Sequence, residues 1–584
     1  MALAVAVLAL LLTGGLHGRA IQVGGFQSLK HLRTGDSRNY LQDALVVQHK
    51  LFNHAGPPAE RTQRVFDENN FVRRSYGEHG VRFPDRLLAP LVWAVLFEFT
   101  GEYIPAAFWW NVFIVACAVA LVSYVAVREF GLFAGIVTVL AYCAIRGGAT
   151  LPTLLLEPTV CGFLAALAFA GWLVLRHPTD WRAIGLLAAV ALVGTAVKSA
   201  VWPLCFLAHG LCAGSLAYRF RRARAPFITV PVAALSVLVL LQVGQRGLRR
   251  AIQAGLDIPP HIMSRSNGPY ALWMGSLPSA WTGSYAGRLS SKTYAFFKSP
   301  RCEHEEYRRQ GLQGYDRYWV TLDRIGPDIR DNYENCAIDA VKRFTFRHTK
   351  MLGINGFENR NRAIVAAAAV AGATAVLLLS GPQLLPWVIV WQAILWMHTL
   401  SRYRARDVEL LQPITALLAA AGIHLIVTRV LGWRRRRIGY RRRSLHHLAV
   451  LPLVALIWLP LALALVFPDT QNTRGPTIRE LAYCVTEGEE PQLNVRANVG
   501  APNLFGYLQL DSFPTGKLKR MVMYDQANQD GWLEFSVTVP PAAVPPDTCR
   551  WVLYVWSLNS RQSKRELQPE HQVRPFEVGC LPIP

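Results

Sequence analysis

The chain has 584 residues, 52% of them hydrophobic and 17% charged, with a formal net charge of +23. Soluble domains carry about 25% charged residues, so this composition, with a mean hydropathy of +0.22, excludes a chain built only of soluble domains. The positive charge does not point to nucleic acid. Much of it sits at the ends of apolar segments, in "RFRRAR" (219–224) and "RRRRIGYRRR" (434–443), with no recognisable nucleic-acid-binding module beside it.

Apolar segments follow one another near 2–16, 106–127, 131–146, 157–175, 183–199, 201–218, 226–243, 363–379, 384–400, 409–428 and 448–467. Crossing a bilayer takes roughly 17–25 such residues, so about 11 transmembrane helices are expected, several of them short. The fold class is a polytopic α-helical membrane protein. Cytoplasmic loops are rich in Lys and Arg, which sets the two arginine clusters inside. Counting outward in both directions then puts 17–105, 147–156, 244–362 and everything after 468 outside, and 128–130 and 176–182 inside. The segment "LLAPLVWAVLFEFTG" (87–101) is short and carries Glu98, so it is expected to lie in the outer interface. Residues 2–16 lack the basic flank and cleavage site of a signal peptide. Retained or removed, they leave the next stretch, "RTGDSRNY" (33–40), outside, with Asp36 read as a loop carboxylate.

Four regions result: a membrane module (1–243) with a large first outer loop (17–105), a long outer loop (244–362), a second set of membrane helices (363–467), and a C-terminal region (468–584). The long loop holds Trp273, Trp281 and Trp319, and its stretch "NCAIDAVKRFTFRHTKML" reads as a helix ending in an amphipathic segment resting on the membrane. Its aromatic rings suit sugar stacking and interface anchoring alike. In the C-terminal region "QLNVRANV", "FGYLQLDSF", "RMVMYD", "WLEFSVTV" and "RWVLYVWSL" alternate apolar and polar residues between turn signals. That alternation predicts a small antiparallel β domain, sandwich-like, serving as a structural lid or as a module that binds glycan or protein.

The ten cysteines divide by setting. Cys117, Cys143, Cys161, Cys205 and Cys212 fall in apolar segments and read as small core residues. Cys302, Cys336, Cys484, Cys549 and Cys580 fall in polar regions expected outside, where disulfides form. Cys302 with Cys336 is the preferred pair, and the three C-terminal cysteines leave one odd. No P-loop, zinc-ligand spacing or glycine-rich nucleotide motif is present, which disfavours a pump with its own ATP site.

One short outer loop breaks the charge rule. "LSRYRARDVELLQP" (400–413) holds Arg402, Arg404 and Arg406. Either these are solvated charges paired with Asp407 and Glu409, or they bind an anionic group such as a phosphate, which the arginine fork suits. The outer ends of the spans also collect Asp36, Asp43, Glu157 and Lys198. Ionisable groups at span edges tend to be functional, although Glu157 also suits a helix N-terminus and Lys198 also suits snorkelling to headgroups.

The order and placement of these residues resembles the GT-C superfamily of integral-membrane glycosyltransferases, over roughly residues 1–430. The resemblance rests on an N-terminal span leading to an outer loop with an acid near a tyrosine (Asp36, Tyr40) and on the loop's Pro- and Leu-rich end, "FPDRLLAPL". It rests further on the acidic Glu157 after the third span and on the late outer-loop "RY" of "RYRARDVELLQP". Ser37 stands where many relatives carry a second acid. What the resemblance implies is an inverting transferase that takes a sugar from a polyprenyl-phosphate donor to a hydroxyl of an extracytoplasmic acceptor. The sugar would be a hexose or a pentose such as arabinofuranose, and the acceptor an envelope glycan, a lipid or an exported protein such as a pilin. It implies Asp36 as general base, Arg402, Arg404 and Lys198 at the donor phosphate, and Glu157, Tyr40 and Asp43 as substrate-binding or secondary acidic positions. In some relatives a divalent metal, Mg²⁺ or Mn²⁺, is held by such carboxylates. The expected setting is a bacterial inner membrane with the site facing the periplasm. The rival reading is a transporter or a flippase for lipid-linked substrates, and a third is a non-catalytic scaffold or receptor.

Overall fold

The computed structural model describes residues 1–24, 35–55, 81, 86–101, 103–146, 157–198, 201–220, 226–258, 272, 326–327, 330, 344–345, 348–349, 351–352, 360–379, 382–400, 410–430, 444–466, 477–486, 492–500, 504–512, 522–538, 550–556, 563–568 and 570. The chain divides into two compact units. The first comprises Met1–Trp273, Leu312–Gly326 and Phe344–Val466, and the second Met274–Gly311, Pro327–Arg343 and Phe467–Pro584.

The first unit is helical. In chain order its described helices are α1 (Ala2–Gly24), α2 (Gly35–Leu51), α3 (Leu88–Thr100), α4 (Ile104–Phe130), α5 (Leu132–Arg146), α6 (Glu157–Arg176), α7 (Trp181–Val193), α8 (Trp202–Phe220), α9 (Pro226–Gly255), α10 (Arg360–Leu379), α11 (Leu385–Leu400), α12 (Gln412–Val430) and α13 (Ser444–Val466). Each apolar segment of the sequence lies in a helix or supplies most of one. Among the described residues three helices are long and apolar enough to cross a membrane, over Ile104–Phe130, Glu157–Arg176 and Asn361–Leu379. Shorter apolar helices cover Ala2–Leu16, Leu88–Thr100, Leu132–Ile145, Trp181–Val193, Gln412–Leu425 and Val450–Val466.

Local chemistry sets several boundaries. Gly101, at φ +70°, ends α3 in a left-handed cap with its N–H on Phe97 O at 3.1 Å, a conformation that costs glycine least. Asp180 opens α7 by accepting from the Arg182 amide at 2.9 Å, which satisfies one of the first-turn donors.

Three expectations need correction. Asp36 was read in a loop, but Gly35–Leu51 is a helix and Asp36 falls in its first turn. "GDSRNYLQ" carries polar residues where an amphipathic pattern needs apolar ones, and that hid the helix. The segment 183–199 is not one helix, because α7 stops at Val193 and a 3-10 turn, Gly194–Ala196, follows. Gly194 is required there, since a Cβ would stand 2.6 Å from Phe163 Cζ. Finally, α9 does not end near 243 but continues to Gly255.

Packing pairs the helices along their lengths: α1 and α5 on α4, α6 on α4 and α7, α9 on α8, and α10 on α12. One end of this bundle collects the loops expected inside. Glu129, near the end of α4, accepts from Trp172 Nε1 at 2.8 Å and from Arg176 Nη1 at 2.6 Å, both near the end of α6. Arg219, ending α8, donates to Thr179 O at 3.0 Å and lies 4.4 Å over the Trp181 ring. Phe130 meets His424 of α12 at 5.5 Å between ring centroids.

The second unit contains, among its described residues, two antiparallel sheets. β1 (Glu480–Val485), β2 (Gln492–Asn498) and β5 (Trp532–Thr538) form one in the order β1-β2-β5. β3 (Phe505–Ser512), β4 (Val522–Gln526), β6 (Arg550–Trp556) and β7 (Ser563–Glu566) form the other in the order β4-β3-β6-β7. Alternation does the work expected of it. Leu493, Val495 and Ala497 of β2, Leu533, Phe535 and Val537 of β5, and Leu508, Trp551, Leu553 and Val555 of the other sheet are buried in one shared core. The sheets approach closely at Gly506, where a Cβ would stand 2.7 Å from Leu533 Cδ1.

Candidate functional site

The site begins with α2. From Asn39 to His49 every residue is buried, although the segment includes Asn39, Gln42, Asp43, Gln48 and His49. A helix enclosed on all sides is normally apolar all round, and each buried polar group costs free energy unless it is hydrogen-bonded. Asp43 is at 0% exposure. Asp36, Tyr40 and Asp43 occupy positions i, i+4 and i+7, one face of this helix; Asp36 is located here by its backbone.

Long-range hydrogen bonds fix α2. Tyr40 Oη accepts from Arg86 Nη1 at 3.0 Å, with both side chains buried. At the other end of the helix Glu98 Oε2 accepts from Gln48 Nε2 at 2.8 Å and meets His54 Nε2 at 2.8 Å. Glu98, the charge that kept 87–101 from reading as a span, therefore ties α3 to α2. Trp93 and Phe97 of α3 join Tyr40, Leu41 and Leu45 in the main core.

The continuation of α9 reaches the same place. Lys50 Nζ donates to Leu256 O at 2.6 Å, and Leu256 and Ile258 pack with Val46, Val47, Val81, Leu87 and Ala94. This extension carries Arg246, Arg249 and Arg250. It runs along α8 and touches the 3-10 turn, beyond which lies half-buried Lys198, whose carbonyl accepts from the Val201 amide at 3.0 Å.

Glu157 is buried at the first position of α6, 5% exposed, with Pro158 inside the helix start where a proline fits. It lies on a different element from α2, and α6 packs on α7 and α8. Tyr40 and Asp43 are thus joined on one helix, the end of α9 docks on that helix through Ile252, Leu256 and Ile258, and Lys198 and Glu157 stand on other elements. Arg402 and Arg404 lie outside the described residues, as do Cys302 and Cys336. Cys484 is disulfide-bonded, and the five cysteines of the apolar segments form no disulfide.

Near the expected position of the late arginine loop, the end of α11 meets a helical stretch of the long loop. His348, at 0% exposure, lies 3.3 Å from Thr399 Oγ1 through Nδ1 and is flanked by Phe344 and Trp396 at 6.0 and 5.8 Å between ring centroids. Burial pushes its pKa down to about 4, since the charged form loses its solvation. The ring is therefore neutral at physiological pH.

Among the described residues no group of three or more His, Cys, Asp or Glu is placed to hold a metal ion. Sequence reasoning missed Arg86, Gln48, His54 and Arg249, because each is joined to the site by a partner far away in the chain. No family model matches the chain, and no curated protein matches it.

Proposed function

We propose that this protein is an integral-membrane glycosyltransferase of the GT-C type, inverting, that moves a sugar from a polyprenyl-phosphate donor to a hydroxyl of an extracytoplasmic acceptor. The observation that carries the reading is α2, a helix buried along Asn39–His49 yet rich in polar side chains. A protein that needed only to fold would fill this helix with apolar residues. A transferase at a membrane surface needs a rigid polar wall that excludes water beside a positioned base.

In this reading Asp36 takes the proton of the acceptor hydroxyl as it attacks the anomeric carbon, while the bond to the lipid phosphate breaks and the phosphate leaves as an anion. A positioned base contributes about 10²–10⁴-fold. Tyr40, held by Arg86, and Asp43 line the same helical face and orient substrate, with Glu157 of α6 as a secondary acid. Lys198, Arg402 and Arg404 stabilise the leaving phosphate, whose charge grows at the transition state. The donor keeps its tail in the bilayer, so no soluble nucleotide site is required.

The bundle supports the topology this demands. Contacts that join Glu129 to Arg176 and Arg219 to Thr179 gather the loops expected in the cytoplasm at one end, as about eleven crossings require. The C-terminal unit is then an extracytoplasmic β-sandwich module, and the disulfide at Cys484 suits an oxidising compartment such as a bacterial periplasm.

The test is incubation of the purified protein in nanodiscs with labelled polyprenyl-phosphate sugars, hexosyl and pentosyl, and hydroxyl-bearing acceptors. Label appearing in acceptor, with polyprenyl phosphate released, supports transfer. Movement of the intact labelled donor across proteoliposomes without any cleavage favours the flippase and removes this reading.

A further inference from the structure

We infer that Arg249, stacked on Trp202 where α8 and α9 pack together, forms an anion seat for a phosphate group. The Arg249 guanidinium carbon lies 4.0 Å over the Trp202 ring centroid. Such stacking fixes the plane of the guanidinium while leaving its edge donors to point elsewhere. Both partners carry an N–H that is buried and, among the described residues, has no acceptor: Arg249 Nε and Trp202 Nε1. Buried donors are rarely left so, because each costs about 1–3 kcal/mol.

The charge is as unbalanced as the hydrogen bonding. Among the described residues no Asp or Glu forms an ion pair with Arg246, Arg249 or Arg250. Burial holds the Arg249 pKa below its ordinary value, the neighbouring Cys205 pulls the other way, and Arg246 lowers it further; arginine nevertheless stays charged at any physiological pH. A half-buried cation facing a like charge, with an idle donor and, among the described residues, no paired carboxylate, is relieved by an anion. A phosphate supplies what is missing, with several acceptor oxygens and the opposite charge.

The position selects the source of that phosphate. α9 is apolar through its first turns, and Arg249 comes where its apolar run has ended, the position at which a helix leaving a bilayer meets lipid headgroups. Arg246 and Arg250 flank Arg249 on the same stretch of α9, which adds to the positive charge there. The inference rests on phosphate chemistry and does not require Asp36 or glycosyl transfer.

Binding tests it without any activity readout. Protein in non-ionic maltoside micelles is given a polyprenyl monophosphate or the matching polyprenol, and bound copies are counted by native mass spectrometry. Wild-type protein is expected to retain the monophosphate at least tenfold better than the alcohol. Arg249→Gln removes most of that preference, and Arg249→Lys keeps part of it. Equal retention of phosphatidylglycerol identifies a bilayer headgroup as the occupant, preference for the polyprenyl monophosphate identifies a lipid carrier, and displacement by millimolar inorganic phosphate identifies the free ion; all three support the seat. No preference over the alcohol in wild type overturns it, as does a preference that survives in monodisperse Arg249→Gln. If that variant does not fold, the wild-type comparison alone decides.

Discussion

Tyr40 and Arg86 meet at 3.0 Å inside the protein, so the phenol is one acceptor for a cation that cannot reach bulk water. Tyr40→Phe removes that acceptor and leaves the ring in place. It should lower stability by about 1–3 kcal/mol, read as a fall in the thermal midpoint in detergent; an unchanged midpoint would mean that the bond contributes nothing. His348 offers a test with a sign. Its folded pKa of about 4 lies below the ordinary histidine value of 6.5, so between these values the unfolded chain binds more protons. Stability is full above pH 6.5 and declines as pH falls toward 4, by on the order of 3 kcal/mol from this one ring. His348→Gln should flatten that acid limb relative to wild type. Tyr40 and Asp43 were legible in the sequence as polar residues close behind Asp36 after the first span, although the helix that joins them was not. Arg86 and Glu98 were not, because their partners lie |i−j| = 46 and 50 away and no local pattern links them.

At the scale of elements, α10 and α12 cross at glycines. A Cβ on Gly422 would stand 2.8 Å from Ala368 O, and one on Gly372 would strike the Leu418 carbonyl oxygen. Small residues let helix backbones approach in this way, a recurrent device between membrane helices. Gly372→Leu should therefore abolish folded yield by size-exclusion chromatography. Gly185→Ala on α7, where a new Cβ meets nothing within 4 Å, should be neutral or stabilising by up to about 1 kcal/mol. Apolar runs made the helices of the bundle readable, and two-residue alternation made β2, β3, β4, β5 and β6 readable. β7, "SKRE", has no apolar residue and pairs with β6, so no pattern announces it. The extension of α9 escaped notice for a related reason: its last turns are charged on one face and are held as a helix by α8 and α2, contacts invisible in a linear reading.

For the molecule as a whole, the account requires the two ends of the helical unit to face different compartments. The Glu129, Arg176 and Thr179 end is assigned to the cytoplasm, and the end holding α2 and Asp257 to the outside. Exposed Asp257 and Thr179 give a direct check. Asp257→Cys should react with a membrane-impermeant maleimide on intact cells, and Thr179→Cys only after permeabilisation; the reverse pattern would invert the topology. The chemistry comes down to Asp36. The decisive measurement is the turnover of labelled polyprenyl-phosphate sugar by folded Asp36→Asn beside wild type, with donor binding measured on the same samples. The account predicts a fall in turnover of about 10²–10⁴-fold with donor binding retained. Undiminished turnover in that variant would contradict it.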